Sequence, residues 1–201
     1  MAIQSFFLLD QYCSQSRDYM KIFLAEKKKK IVKNWTDLVL DSYGSPEFFK
    51  TQKNRFANPM GSTISEGLQE IYAILAEEKD LGLVSKPLEN IIKIRAVQDF
   101  TPSQSVSFVY LLKKIVRQEL ARDKKSQVGQ ESLAELDGRI DQVALMAFDF
   151  YMDCRERLSQ IRINEVLSGR HTLTDGTKCA SAMLKKNQIK SADKIQDNRL
   201  T

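Results

Sequence analysis

Apolar residues in the last third of the chain recur at alternating spacings of three and four positions. The spacing is unbroken through Leu133, Leu136, Ile140, Val143, Ala147, Phe150 and Cys154. Side chains at this spacing share one face of an α-helix and are typical of the seam between two paired helices. The helical pattern continues from residue 131 to residue 168, which is about 57 Å at a rise of about 1.5 Å per residue.

A helix of this length exceeds the width of a small domain. We therefore predict a long C-terminal helix that pairs with a second copy of the chain. The predicted contacts of this homodimer are Leu136, Ile140, Val143, Ala147 and Phe150.

Shorter apolar stripes predict further helices earlier in the chain. Residues 20–43 carry apolar side chains seven positions apart, which favours one helix. Residues 63–66 (Thr-Ile-Ser-Glu) and 101–104 (Thr-Pro-Ser-Gln) have the spacing of capping boxes, so each predicts a helix start. The sequence holds 8 Gly and 4 Pro, fewer than a turn-rich β fold needs. The predicted fold is therefore an all-α helical bundle with a long C-terminal dimerisation helix.

Periodicity and charge divide the chain into three parts. Residues 1–19 lack a clean period and are predicted to be an N-terminal extension, followed by a helical domain over residues 20–169. Residues 170–201 carry seven Lys or Arg and three Asp side chains, a net charge of +4 out of +5 for the whole chain. We expect this basic tail to be disordered. Because the rest of the chain is nearly neutral, no folded face is predicted to bind nucleic acid.

The N-terminal apolar cluster and the cysteines indicate the compartment. The cluster at residues 6–9 is closed by Asp10 and is too short for a signal peptide or a membrane span. Cys13, Cys154 and Cys179 are widely separated and odd in number, so they predict reduced thiols and no disulfide framework. We predict a cytoplasmic protein without a membrane span.

No set of residues in the sequence predicts catalysis. The single histidine, His171, lies in the basic tail, so neither a catalytic triad nor a proximal haem ligand is expected. Asp149, Asp153 and Glu156 lack the Glu-x-x-His partners of a di-metal bundle and favour a solvated, salt-bridged face. The lysine run 27–30 is spread around its helix and favours a solvated helix start over a phosphate or anionic-lipid site. We therefore predict a protein that is not an enzyme, with no metal site and no cofactor.

A ligand site remains possible on sequence grounds at the corner before residue 101. Arg95, Gln98 and Asp99 form either a polar network that fixes this corner or a site that reads a ligand or partner. The aromatic residues favour a core, with an apolar ligand cavity as the alternative. The candidate ligand-binding residues are Trp35, Phe56, Arg95, Gln98 and Phe108.

Several short runs resemble one protein family. These are residues 33–35 (Lys-Asn-Trp), 41–43 (Asp-Ser-Tyr), 55–61 (Arg-Phe-Ala-Asn-Pro-Met-Gly) and 94–104 (Ile-Arg-Ala-Val-Gln-Asp-Phe-Thr-Pro-Ser-Gln). Over residues 21–165 the chain resembles the N-terminal domain of RsbR/RsbRD proteins, which are co-antagonists of the RsbT kinase in bacterial stressosomes. The resemblance implies a globin-like, haem-free helical sensor that dimerises and passes a signal down its last helix.

The resemblance also implies partners. Full-length members carry a STAS domain after the sensor, but the 32 residues from 170 to 201 are too few for one, so we expect a stand-alone member. The chain is also similar to stand-alone members found with genes for sulfite-reduction electron-transfer complexes. Three hypotheses follow: a sensory or regulatory homodimer, an adaptor for a regulatory or redox protein, and a carrier of an apolar ligand.

Overall fold

The computed structural model describes residues 2–43, 47, 56–98, 100–123 and 128–168, with side chains from residue 16 onward. Within these residues every regular element is helical, so the all-α prediction is confirmed. The elements are α1 (Ala2–Leu40), α2 (Pro59–Ala76), a 3₁₀ helix (Leu81–Val84), α3 (Ser85–Ala96), α4 (Pro102–Arg122) and α5 (Gln130–Leu167). The predicted basic tail, 170–201, lies outside the described residues.

Local signals fix the start of α4 as predicted. Thr101 and Gln104 make the reciprocal capping box: the Gln104 amide donates to Thr101 Oγ1 at 3.3 Å, and the Thr101 amide donates to Gln104 Oε1 at 2.9 Å. Pro102 occupies the first turn, where its missing N–H costs nothing.

The start of α2 was predicted wrongly at residue 63. Asn58 is the N-cap, and its Oδ1 accepts from the Gly61 amide at 2.8 Å. Thr63 lies inside the helix, where its hydroxyl donates to the Pro59 carbonyl at 2.9 Å. The Asn-Pro pair wins because Pro59 already has the backbone angle of a first helical residue and Asn58 supplies the acceptor.

The core lies where α1 packs on α2 and α4, and α3 packs on α2 and α4. Trp35 from α1 is fully buried, and its indole Nε1 donates to the Phe108 carbonyl of α4 at 2.7 Å. Gly67 allows the close approach of α2 to α3, because a Cβ there would lie 2.9 Å from Ile91 Cδ1 and 3.3 Å from the Pro87 carbonyl oxygen. The bundle agrees with the globin-like architecture that the resemblance implies.

The long helix α5 is confirmed at 38 residues. Its predicted seam, however, faces the body of its own chain: Leu136, Ile140, Val143 and Ala147 are buried, and Phe150 is half-buried. These four buried side chains are therefore not available to a partner chain. A spacing of three and four identifies an apolar helix face but does not distinguish a neighbour in the same chain from a second copy.

Polar contacts hold α5 to the other helices. Ser132 Oγ shares a hydrogen bond of 2.8 Å with Ser16 Oγ of α1. Arg139 donates to the Lys79 carbonyl after α2 at 2.6 Å. Lys113 of α4 pairs with Asp141 at 2.7 Å.

Since α1 runs unbroken from Ala2, it crosses the predicted boundary at residue 20 without a gap.

The chain divides into two compact units, Met1–Arg155 and Glu156–Thr201. In the described part of the second unit, residues 156–167 are helical, and a hydrogen bond of 3.1 Å joins Gln160 to Asn164. Four large apolar side chains are exposed there: Ile161, Ile163, Val166 and Leu167. Among the described residues, no helix combines the length and apolarity needed to cross a bilayer.

Candidate functional site

Arg95, near the end of α3, is the buried charge at the centre of the candidate site. The residue is only 1% exposed. Its Nη1 donates to Ser42 Oγ and to the Tyr43 hydroxyl, each at 3.2 Å, and its Nη2 donates to the Gln104 carbonyl at 2.9 Å. Because these acceptors follow α1 or belong to the first turn of α4, one side chain joins three helices.

Aromatic rings surround the guanidinium. Its central carbon lies 4.3 Å from the ring centroid of Phe100, 5.3 Å from that of Tyr43 and 5.4 Å from that of Phe108. Tyr43 and Phe100 meet edge to face at 5.3 Å. Rings in this position attract a cation through their quadrupoles, by about 2 kcal/mol when the pair is shielded from water. We call Arg95 with Ser42, Tyr43, Phe100 and Phe108 the Arg95 cluster.

The charge of Arg95 has no carboxylate partner among the described residues, and its Nε is buried without a hydrogen bond. A buried, unpaired ion carries a desolvation penalty of several kcal/mol. Burial raises the pKa of Tyr43, which the charge of Arg95 and its hydrogen bond only partly offset, so the phenol stays neutral and does not supply the missing counter-charge. The Arg95 cluster is therefore stabilised by rings and neutral acceptors.

The structure brings together three of the five predicted ligand-site residues. Arg95 contacts Phe108, and Trp35 donates to the Phe108 carbonyl. Gln98 instead points its amide at Met60 Sδ, 3.4 Å away, and Phe56 is 96% exposed. Ligand binding by these residues stays a prediction.

Two polar members of the Arg95 cluster were missed in the sequence analysis. Ser42 and Tyr43 lie more than fifty positions before Arg95 in the sequence. No spacing rule therefore links them to it. Their only signal was their place in one of the runs that resemble the RsbR family. Asp99, predicted beside Arg95, lies outside the described residues.

A second candidate surface is an apolar stripe on α5, formed by Leu145, Phe148 and Met152. These side chains are 65%, 46% and 48% exposed and follow a spacing of three and four. We call them the α5 stripe. Large apolar side chains that form a contiguous exposed row mark an interaction surface more often than a single exposed residue does.

The α5 stripe lies beside α4. Ion pairs join Lys113 to Asp141 and Arg117 to Asp137, so α4 and α5 run antiparallel and their order fixes the register. This register places Tyr110 of α4, which is also exposed, at the level of residues 144 and 145. Tyr110 therefore extends the exposed apolar surface from the α5 stripe onto α4. The ion pairs of Asp141 and Asp137 lie on the N-terminal side of the stripe along α5.

Polar contacts connect the Arg95 cluster to α5. The Tyr151 hydroxyl donates to the Phe100 carbonyl at 3.4 Å, and Arg155 Nη1 donates to the Ala96 carbonyl at 3.3 Å. Phe100 belongs to the cluster, and Ala96 follows Arg95 directly. The buried corner and the helix that carries the exposed stripe are therefore in physical contact.

Comparison with known proteins gives the family. The sequence model of the RsbT co-antagonist protein rsbRD N-terminal domain matches residues 29–166. The chain belongs to the RsbRD N-terminal domain family. The match begins within α1 and ends one residue before the end of α5, so it includes the Arg95 cluster and the α5 stripe.

The RsbRD-type sequence also matches a distant relative. An uncharacterised protein of Archaeoglobus fulgidus is 24% identical over 139 residues, which cover 69% of this chain and 83% of the relative. No solved structure matches the chain. Among the described residues, no group of three or more His, Cys, Asp or Glu side chains is placed to hold a metal ion.

Proposed function

We propose that this RsbRD-type protein is a cytoplasmic, non-enzymatic sensory or regulatory domain of stress signalling that works as a homodimer. The family supports the regulatory class. The observation that carries the dimer is the α5 stripe, because it leaves three large apolar side chains exposed beside the face of α5 that is already buried. We expect the domain to work without haem, since its single histidine, His171, lies outside the matched region.

The stripe has the form that a two-fold contact requires. A symmetric dimer uses the same patch on both copies, and an apolar row is self-complementary in this sense. Leu145, Phe148 and Met152 have the spacing that packs two helices side by side. In this proposal the α5 stripe takes the role first assigned to the buried seam.

The signal in this proposal travels from the Arg95 cluster to α5. A change in packing around Phe100 acts on Tyr151 through their hydrogen bond, and a shift at the end of α3 acts on Arg155. Coupling of this kind needs a packed element with two arrangements, and helix shifts at a subunit interface are a common form. The packing of the two α5 helices in the dimer would then depend on the packing around Arg95 and Phe100.

Sedimentation velocity tests the dimer. Wild type is expected to sediment as a dimer, and Phe148→Asp as a monomer with unchanged helix content, because the aspartate puts a charge into an apolar contact. Ile22→Asp is the matched control: Ile22 is an exposed apolar residue of α1, so its variant should stay dimeric. A monomeric wild type, or dissociation of both variants alike, contradicts the proposal.

An adaptor for another regulatory or redox protein is the second candidate. It is supported by the exposed side chains Ile161, Ile163, Val166 and Leu167 in the second unit, since such residues mark interaction surfaces. Cross-linking from residue 163 in the native host distinguishes the two functions. Self-cross-links alone favour the homodimer, and a heterologous adduct lost in Val166→Asp favours the adaptor.

A further inference from the structure

The lysine run 27–30 divides between two sides of α1. Lys27 pairs with Asp123 at 3.2 Å, and Lys30 pairs with Glu119 at 2.7 Å, so these two face α4. Lys28 and Lys29 point to the other side, toward α2. The sequence analysis expected a solvated helix start, but the run lies inside α1 and two of its four lysines form ion pairs.

On that other side, α1 and α2 enclose a groove of about 570 Å³. Its lining holds three lysines that form no salt bridge with any described residue, against one carboxylate, Asp37. The three lysines are Lys28, Lys29 and Lys33. Excess positive charge beside Val32 and the aliphatic lysine stems suits an anion that also carries apolar surface.

The groove also contains an unmet hydrogen-bonding group. Thr36 Oγ1 is buried and has no hydrogen-bond partner within the described part of the chain, although threonine hydroxyls in helices commonly donate to the carbonyl four positions earlier. Thr36 is one of the residues that line the groove. An anionic ligand oxygen would supply the acceptor that the protein leaves out.

A second cavity of about 450 Å³ continues along the same pair of helices and shares Lys28 with the first. Its lining combines five residues with apolar surface, Leu24, Ala25, Tyr72, Ala73 and Ala76, with three charged ones, Lys21, Lys28 and Glu77. Lys28 is also near enough to Glu77 to contribute, after Lys79, to the lowered pKa of that carboxyl. Together the two cavities offer positive charge at Lys28, Lys29 and Lys33 and small apolar side chains at Ala25 and Ala73.

We propose that the α1–α2 groove binds a small amphipathic anion, with its carboxylate, sulfate or phosphate group between Lys28, Lys29 and Lys33 and its apolar body toward Ala25 and Ala73. The volume of the lysine-lined cavity lies within the range of small-molecule sites. A stable protein interface takes about 20–30 residues a side, and eight residues line this cavity. The observations therefore favour a small molecule over an acidic protein segment.

Calorimetry with three probes tests the site in the full chain. The probes are 2-naphthoate, its neutral near-isostere 2-naphthamide, and inorganic phosphate, which has charge but no apolar body. Wild type should bind naphthoate about tenfold more tightly than naphthamide, and should bind phosphate weakly, because both charge and apolar contact are needed. Added salt should weaken naphthoate binding.

The deciding variant is the double substitution Lys29→Gln with Lys33→Gln. It should bring naphthoate to within about twofold of naphthamide, since only the charged probe loses its partners. The matched control removes two exposed lysines elsewhere, Lys86→Gln with Lys114→Gln, and should keep the preference.

Three results would overturn the proposal. These are no naphthoate binding up to about 5 mM, equal binding of the two naphthyl probes by wild type, and an equal loss in the control. An acidic peptide that outcompetes naphthoate at the same lysines would reassign the groove to a protein partner. The site goes beyond the proposed function and does not depend on the dimer, so Phe148→Asp should bind naphthoate as wild type does.

Discussion

Replacement of Arg95 tests how the buried charge is stabilised. Its three hydrogen bonds together contribute about 3 kcal/mol, and the ring contacts add about 1–2 kcal/mol. The desolvation penalty of an ion without a carboxylate partner is several kcal/mol and opposes them. Because these contributions nearly cancel, Arg95→Met should cost only about 1–2 kcal/mol of unfolding free energy.

Lysine at the same position should be worse than methionine. Arg95→Lys keeps the buried charge and its desolvation penalty, but an ammonium group cannot reproduce the planar fork that reaches Ser42, Tyr43 and Gln104 at once. We expect it to cost about 3 kcal/mol. The order of the two variants is the informative result, because a conventional ion pair would favour lysine over methionine.

Urea unfolding measures this order. The protein has one tryptophan, Trp35, which is buried beside Phe108 and reports on this part of the core, and circular dichroism follows the helices in parallel. With a slope of about 1–3 kcal/mol per M urea, a difference of about 2 kcal/mol moves the midpoint by about 1 M. Lys93→Met, on the exposed side of α3, should change stability by less than about 0.5 kcal/mol. If Arg95→Met is less stable than Arg95→Lys by more than about 1 kcal/mol, the description of an unpaired charge is wrong.

Two further predictions concern stability. Burial of Glu119 acts to raise the pKa of its carboxyl, but hydrogen bonds from Lys30 and Arg122 outweigh it and lower the pKa from the usual 4.5. The carboxylate therefore contributes stability that is present above pH 4.5 and is lost as the pH falls through the lowered value. When the urea midpoint is plotted against pH, Glu119→Gln should show a smaller fall on the acid side than wild type. An equal fall in both proteins would refute this. A Cβ at Gly61 would overlap the Asn58 amide and disrupt the N-cap of α2, so Gly61→Ala should lower the unfolding free energy by about 1–2 kcal/mol. Gly138→Ala in α5 meets open space and should be neutral or stabilising by up to about 1 kcal/mol, and a loss in both variants would contradict the capping argument.

Local chemistry was predictable from the sequence, as two helix starts illustrate. Thr101 and Gln104 cap α4 through groups three residues apart, and this needs no knowledge of the rest of the fold. At α2 two local signals competed for the helix start. Residues 63–66 have capping-box spacing, but the helix begins after Asn58 with Pro59 in its first turn, so the predicted start was wrong. Both outcomes depend on neighbours within one helical turn.

Tertiary placement was not predictable in the same way. The seam of α5 was read correctly as an apolar helix face, but burial of Ile140 and exposure of Phe148 depend on which helices pack against α5. Arg95 was named as a candidate because it lies beside the corner before residue 101. Its acceptor Tyr43 comes from a distant part of the chain, and no spacing rule links the two.

Spin-label distance measurement tests the central claim most directly. A single label at Met152→Cys, with Cys13, Cys154 and Cys179 replaced by serine, reports the distance between the two copies across the α5 stripe. Packed helices lie about 8–10 Å apart, so the label pair should give a distance below about 25 Å. A label at Ile22→Cys should give a clearly longer distance. No dipolar signal at residue 152, or a shorter distance at residue 22, would contradict a dimer built on α5.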